Sequence, residues 1–124
     1  MLLLQRANTE LVDYAVALID IGIHYHGWDL EDLNAFAEEV GLNTEAMPEL
    51  YAQIQSNPTA FLSYYVGYLE FQNLREDAQD ALGSSFDLTA FHEAILSTGP
   101  APFQVVKNAV DSYVQSVQDT QKAA

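Results

Sequence analysis

The sequence contains no cysteine among its 124 residues. Disulfide bonds, thiolate nucleophiles and thiolate metal ligands are therefore excluded. A chain of this length, of which 49% is hydrophobic, can bury one core without cross-links. We therefore expect a single domain that spans residues 1–124.

Positive charge and long apolar runs are also scarce. Four Lys and Arg residues stand against eighteen Asp and Glu residues, so the formal net charge is -14. This charge would repel phosphate backbones and anionic lipid headgroups. The opening apolar segment, residues 1–5, is too short for the core of a signal peptide and lacks its basic flank. These features predict a soluble protein that has neither nucleic acid nor a membrane as a partner.

Apolar residues recur at helical spacing in about six segments, and no alternating pattern typical of strands competes with them. Asn8 and Thr9 are expected to precede the first helix, which Gly27 should end. Four later signals predict further helix starts: Asp29, Asn43, Asn57-Pro58 and Asp87. The pattern predicts an all-α fold.

The segment "IDIGIHYHGW" (residues 19–28) carries the first candidate site. On a helix, Asp13, Ala17, Asp20 and His24 fall within one narrow stripe, so a carboxylate lies one turn before an imidazole. Such a carboxylate can fix the tautomer of the ring and orient it toward a substrate. A histidine at a helix end that bonds a neighbour would give the same pattern, and the residues alone leave both interpretations open.

Two resemblances to metal motifs fail on spacing. His24 and His26 are two residues apart, so on a helix they point away from each other. His92-Glu93 begins like the His-Glu-x-x-His zinc helix, but the second ligand position holds Leu96. We therefore predict no metal ligands in this chain, and we assign His92 a structural role.

The segment "FLSYYVGY" (residues 61–68) is rich in aromatic residues. One helical face would carry Phe61, Tyr64, Tyr68, Phe71 and Arg75, and Gly67 would allow a close helix contact beside it. Phenol hydroxyls and a guanidinium would then project into a cleft. An aromatic helix buried in the core is the alternative.

Several blocks together resemble a known family in order and spacing. They include "DIGIH" (20–24), "GW" (27–28), "YYVGYLEF" (64–71) and "GPAPF" (99–103). The chain resembles the C-terminal part of the bacterial domain-of-unknown-function 885 family. Members of that family are longer and all-helical, and they look like zinc metallopeptidases of the gluzincin type. The resemblance implies that the zinc motif lies in an N-terminal part of the parent protein and that a peptide is the substrate.

The resemblance also implies roles for individual residues. Tyr64 lies in a block similar to the helix of angiotensin-converting-type dipeptidases whose tyrosine faces the zinc-bound carbonyl, so it would donate a hydrogen bond to the tetrahedral oxyanion. His24, oriented by Asp20, would be a second donor or would contact the substrate carboxylate. Tyr65 and Arg75 are expected to bind substrate. Many members have Gln where this chain has Ala60, so any contact that this amide makes is in doubt here.

We therefore hypothesise that the chain is the C-terminal helical segment of a zinc-dependent peptidase. It would supply a wall of the substrate cleft and hydrogen-bond donors for the transition state, but no metal, and it would be inactive alone. The alternative is a free-standing acidic helical module that binds a partner through its apolar faces and has no catalytic role.

Overall fold

The protein consists of α-helices joined by short turns, in a computed structural model that describes the backbone of residues 2–123 and the side chains of residue 4 and residues 8–123. The helices are α1 (Leu2–Ile21), α2 (Leu30–Glu39), α3 (Met47–Ser56), α4 (Ala60–Leu82), α5 (Leu88–Leu96) and α6 (Phe103–Ala123). No strand occurs in residues 2–123, so the predicted all-α class is confirmed. In the same residues, no helix is both long enough and apolar enough to cross a membrane.

Local capping signals explain most of the helix boundaries. The Asp29 carboxylate accepts hydrogen bonds from the amides of Glu31 and Asp32, and the Asp32 carboxylate in turn accepts one from the Asp29 amide, which completes a capping box for α2. Asn43 caps a short 3₁₀ turn before α3, and Asp87 caps α5 through the amide of Ala90. The three predicted caps are confirmed. Each of these side chains bonds an amide within a few residues of itself, so the sequence alone is enough to predict it.

Two predicted helix starts are wrong. α1 begins at Leu2, so Asn8 and Thr9 lie inside it; neither Gly nor Pro occurs before them to interrupt the helix. α4 begins at Ala60, and Asn57 instead ends α3, where its side-chain amide donates to the Gln53 carbonyl. The cap of α4 must therefore come from elsewhere.

The described residues up to Tyr68 form one compact unit. Its core consists of buried side chains from α1 to α3 and the turn after α1: Ile19, Ile23, Leu33, Ala37, Met47 and Ile54. After α1 the chain makes a π-helical turn, Gly22–His26, which ends at Gly27 with φ 74°. Trp28 then packs on this core, with its ring 5.3 Å from that of Phe36. The predicted helix end at Gly27 is confirmed.

The described residues from Leu69 onward form a second compact unit. The later part of α4 joins α5 and α6 around a core of Leu74, Ala78, Phe91, Val106 and Val110. The Tyr113 hydroxyl of α6 accepts from the Asp87 amide at 3.1 Å and donates to the Asp87 carbonyl at 3.2 Å. This pair of bonds ties the start of α5 to α6.

Candidate functional site

The carboxylate of Asp20 caps α4 from a distant part of the chain. Oδ1 accepts from the amide of Thr59 and Oδ2 from the amide of Leu62, both at 3.1 Å. Because the first amides of a helix lack partners within the helix and carry partial positive charge, an anion is stabilised there. Asp20 is only 1% exposed, so these bonds replace the water that its carboxylate loses on burial.

Thr59 has an unusual backbone conformation at this cap. Its φ is 65°, in the left-handed region, where no other non-glycine residue among those described lies. A β-branched residue is disfavoured there, and such strain is worth about 1–3 kcal/mol. The bond from the Thr59 amide to Asp20 offsets part of that strain. The chain direction into α4 therefore depends on a residue of α1.

His24 bonds the end of the preceding helix. Its Nε2 lies 3.0 Å from the carbonyl oxygen of Ile54, in the last turn of α3. Since a carbonyl only accepts, Nε2 carries the hydrogen and donates it. The same nitrogen is 3.6 Å from Asp20 Oδ1, too far for a hydrogen bond. Asp20 and His24 therefore hold the two ends of the α3–α4 connection, and the imidazole side chain is 24% exposed.

A cavity of about 440 Å³ lies within the first unit, between α1, α3 and the start of α4. Apolar side chains contribute one part of its wall, namely Val16, Leu50 and Phe61. Three tyrosines of α4 contribute another, namely Tyr64, Tyr65 and Tyr68. Asp13 and Gln53 complete the lining. Its size lies within the range of small-molecule and side-chain pockets.

The tyrosines of this cavity differ in how firmly they are held. The Tyr65 ring lies 5.6 Å from that of Tyr14 and 6.3 Å from that of Tyr68. The Tyr68 hydroxyl donates to the Glu10 carboxylate at 2.7 Å. Tyr64 is 81% exposed, and its hydroxyl makes no hydrogen bond to the residues that the structure describes. The Tyr64 hydroxyl is thus available to a ligand.

The structure brings together some of the residues predicted for a site and separates others. Tyr64 and Tyr65 line one cavity, and Asp20 and His24 lie next to each other, but this second pair does not line that cavity. Arg75 is exposed on the part of α4 that belongs to the second unit.

The predicted close helix contact at Gly67 is wrong. A Cβ placed there would meet nothing within 4 Å. The aromatic face of α4 therefore does not owe its position to a tight approach of another backbone. Gly67 instead lies in an open part of the helix surface.

Sequence reasoning did not assign Asp13 and Gln53 to a site. Asp13 was visible on the stripe that leads to Asp20 and His24, but it turns toward the cavity together with Val16, one turn along α1. Gln53 has no distinguishing sequence signal, because only the packing of α3 brings it to this wall.

The described residues do not bring together a zinc site of the kind that the resemblance implies for the full-length family. Across the described residues, no three His, Asp or Glu side chains form a group that could hold a metal ion. The two oxygens of Asp20 bind amides, and Nε2 of His24 binds a carbonyl. These atoms are already bonded, and a structural or catalytic zinc ion needs at least three protein ligands. The described residues therefore do not fit one.

One comparison with known proteins gives an assignment. Neither the search of curated proteins nor the search of solved structures gave a match. A family model, described as "Bacterial protein of unknown function (DUF885)", matches residues 2–110. The match spans most of the 124 residues, and the chain therefore belongs to the DUF885 family.

Proposed function

We propose that this chain forms a wall of the substrate cleft in a peptidase, and that Tyr64 donates a hydrogen bond to the reacting group of the peptide. The cavity lined by Tyr64, Tyr65 and Tyr68 is the observation that carries the proposal. It combines an apolar interior with hydroxyl groups at its wall, the usual composition of a ligand pocket. The resemblance of "YYVGYLEF" to the tyrosine helix of helical zinc peptidases supplies the reaction class.

Tyr64 is suited to the role of donor by its exposure and its free hydroxyl. When water or another nucleophile adds to a peptide carbonyl, negative charge develops on the carbonyl oxygen. A phenol that donates a hydrogen bond to that oxygen stabilises the transition state more than the ground state. Tyr64 needs to break no bond with a described residue before it does this.

In this proposal, Asp20 and His24 position the helices that carry the cavity residues. Asp20 fixes the first turn of α4, which carries Phe61 and leads directly to Tyr64. His24 holds the end of α3, which carries Leu50 and Gln53 of the same cavity. The second nitrogen of His24, Nδ1, remains for a substrate carboxylate, to which it donates when the ring carries both protons. Arg75 is the further proposed substrate contact in the full-length protein.

The metal chemistry is assigned to another part of the parent protein. Zinc would be held by a His-Glu helix in the N-terminal part of a full-length family member, so that part is the proposed partner of this segment. The residues of this chain bind and orient the peptide and stabilise charge at one oxygen. We accordingly expect the isolated chain to have no peptidase activity.

The experiment is a Tyr64→Phe substitution in a family protein that carries both this segment and the His-Glu helix. We expect kcat to fall by roughly 10²-fold with little change in KM, as for the loss of one oxyanion donor. Tyr25→Phe is the matched control, since Tyr25 is also highly exposed and does not line the cavity. If kcat is the same for Tyr64→Phe and the parent, Tyr64 has no part in the reaction.

A second candidate function, an acidic module that binds a protein partner, is favoured by apolar side chains exposed on α1. Leu4 is 76% exposed and Leu11 54% exposed. The two candidates are separated by mixing the chain with the separately produced N-terminal part of a family protein. A complex that hydrolyses peptides supports the peptidase segment. A complex that Leu11→Glu abolishes but that never hydrolyses peptides supports the binding module.

A further inference from the structure

The described residues that line the tyrosine cavity carry charge of only one sign. Among them, Asp13 is the single charged residue, and none is Lys or Arg. Asp13 is exposed and forms no ion pair or hydrogen bond with the residues that the structure describes. Because the whole chain carries a formal charge of -14, the potential in this cavity attracts cations and opposes carboxylates.

The aromatic wall favours the same kind of ligand. A guanidinium or ammonium group is attracted to the face of a tyrosine ring when it lies within about 6 Å of the ring centre. Tyr65 and Tyr68 have ring centres 6.3 Å apart, so one cation can contact both rings. The Glu10 carboxylate accepts a hydrogen bond from the Tyr68 hydroxyl at 2.7 Å, so a second acidic side chain lies beside this wall.

The apolar lining fits the stem of a long basic side chain. Val16, Leu50 and Phe61 would contact the methylene groups, while the charged head meets Asp13 and the tyrosine rings. A volume of about 440 Å³ holds an arginine or lysine side chain together with part of the adjoining backbone. A short acidic or purely polar side chain would leave this apolar surface uncovered.

We propose that the tyrosine cavity is a specificity pocket for an arginine or lysine side chain of a peptide. The inference rests on the proposed function, because it names the class of peptide that the same wall recognises. Asp13 is the specificity-determining residue: its carboxylate pairs with the basic head, and Gln53 offers a carbonyl oxygen to the remaining N–H groups.

The test compares two peptides that differ only in charge. The tripeptide acetyl-Ala-Arg-Ala-amide is titrated into the 124-residue chain, and Kd is measured by calorimetry or by NMR shifts of the tyrosine rings. The same peptide with citrulline in place of arginine keeps the shape but has no charge. We expect the arginine peptide to bind roughly tenfold more tightly, with the difference shrinking at high salt because the cavity is open to solvent.

Two variants separate a specific pocket from general attraction to an acidic protein. Asp13→Asn should bring the two peptides to within about threefold of each other, because only the paired carboxylate is lost. Asp80→Asn removes the same charge at an exposed position that does not line the cavity, and it should keep the full preference. Both sites are exposed, so neither change should affect folding.

Three results would overturn the inference. They are equal affinity for the arginine and citrulline peptides, equal effects of the two asparagine variants, and no binding of either peptide at millimolar concentration. Each of these leaves the Tyr64→Phe result to judge the proposed function. Conversely, a clear arginine preference with an unaffected Tyr64→Phe enzyme would retain the pocket and remove the peptidase role of Tyr64.

Discussion

The carboxylate of Asp20 accepts a hydrogen bond from the backbone amide of Leu62, forty-two residues further along the chain. Together with the bond from Thr59, it replaces the side-chain cap that α4 would otherwise take from a neighbouring residue. One buried anion therefore joins the end of α1 to the start of the helix that carries the tyrosine cavity. The first prediction follows from this pair.

Substitution of Asp20 should destabilise the protein strongly. Asp20→Ala leaves the amides of Thr59 and Leu62 without their partner, a buried anion, so we expect a loss of about 3 kcal/mol in the free energy of unfolding. Asp20→Asn keeps one acceptor oxygen and should lose about half as much. Urea unfolding followed by circular dichroism measures both. Asp80→Asn, the exposed control, should change stability by less than about 0.5 kcal/mol; an equally small effect of Asp20→Ala would contradict the capping role.

His24 should contribute a smaller amount through its bond to the Ile54 carbonyl. His24→Ala should lower the free energy of unfolding by about 1 kcal/mol. His24→Gln can place an amide N–H near the position of Nε2, so it should recover part of this loss. If His24→Ala leaves stability unchanged but removes turnover in the full-length family protein, the imidazole acts on the substrate and not on α3.

Gly22 should not tolerate even the smallest side chain. A Cβ at this position would overlap the six-membered ring of Trp28, and that ring is packed on the core of the first unit. Gly22→Ala should therefore lose about 2–3 kcal/mol, as overpacked core positions do, and it should shift the fluorescence of Trp28, the only tryptophan.

Gly67→Ala is the matched control for that change. A Cβ there meets nothing within 4 Å, and the residue lies inside α4. Alanine is favoured over glycine in a helix interior, so we expect a gain of about 0.5–1 kcal/mol. A loss at Gly67, or none at Gly22, in thermal or urea unfolding would show that the surroundings of these glycines differ from those described.

Asp29 should contribute through its capping box. Asp29→Ala removes the acceptor for the amides of Glu31 and Asp32, and we expect a loss of about 1 kcal/mol. Asp29→Ser provides another acceptor and should lose less, because serine is also a good helix cap. The ranking of the two variants by urea midpoint is the check, and equal midpoints would count against the cap.

The sequence predicts the local part of this fold well and the long-range part poorly. The caps at Asp29, Asn43 and Asp87 and the end at Gly27 act within one turn, so their residues are neighbours in the sequence. The cap of α4 depends on a residue thirty-nine positions before Thr59. No local pattern reveals that Asp20, and not Asn57, occupies this place.

The same distinction between local and long-range contacts applies to the candidate site. The four-residue spacing of Asp20 and His24 predicted their proximity, which the 3.6 Å separation bears out in distance only. The spacing did not predict that His24 would bond the backbone of α3 and Asp20 the backbone at the start of α4. Tyr64 and Tyr65 share a cavity, but Asp13 and Gln53 reach it from two other helices. Which side chains converge there depends on helix packing, and the spacing within one helix does not contain that information. The catalytic and binding roles remain predictions.

The π-helical turn Gly22–His26 determines more than the end of α1. In a π turn, each backbone bond encloses one residue more than in an α turn. If these same five residues followed α geometry, at about 100° per residue, they would turn the chain further, and the residues after them would start at a different angle around the helix axis. The Trp28 ring would then miss the bare face of Gly22 that it now covers. The wide π geometry of this turn thus sets the angle at which the chain enters α2.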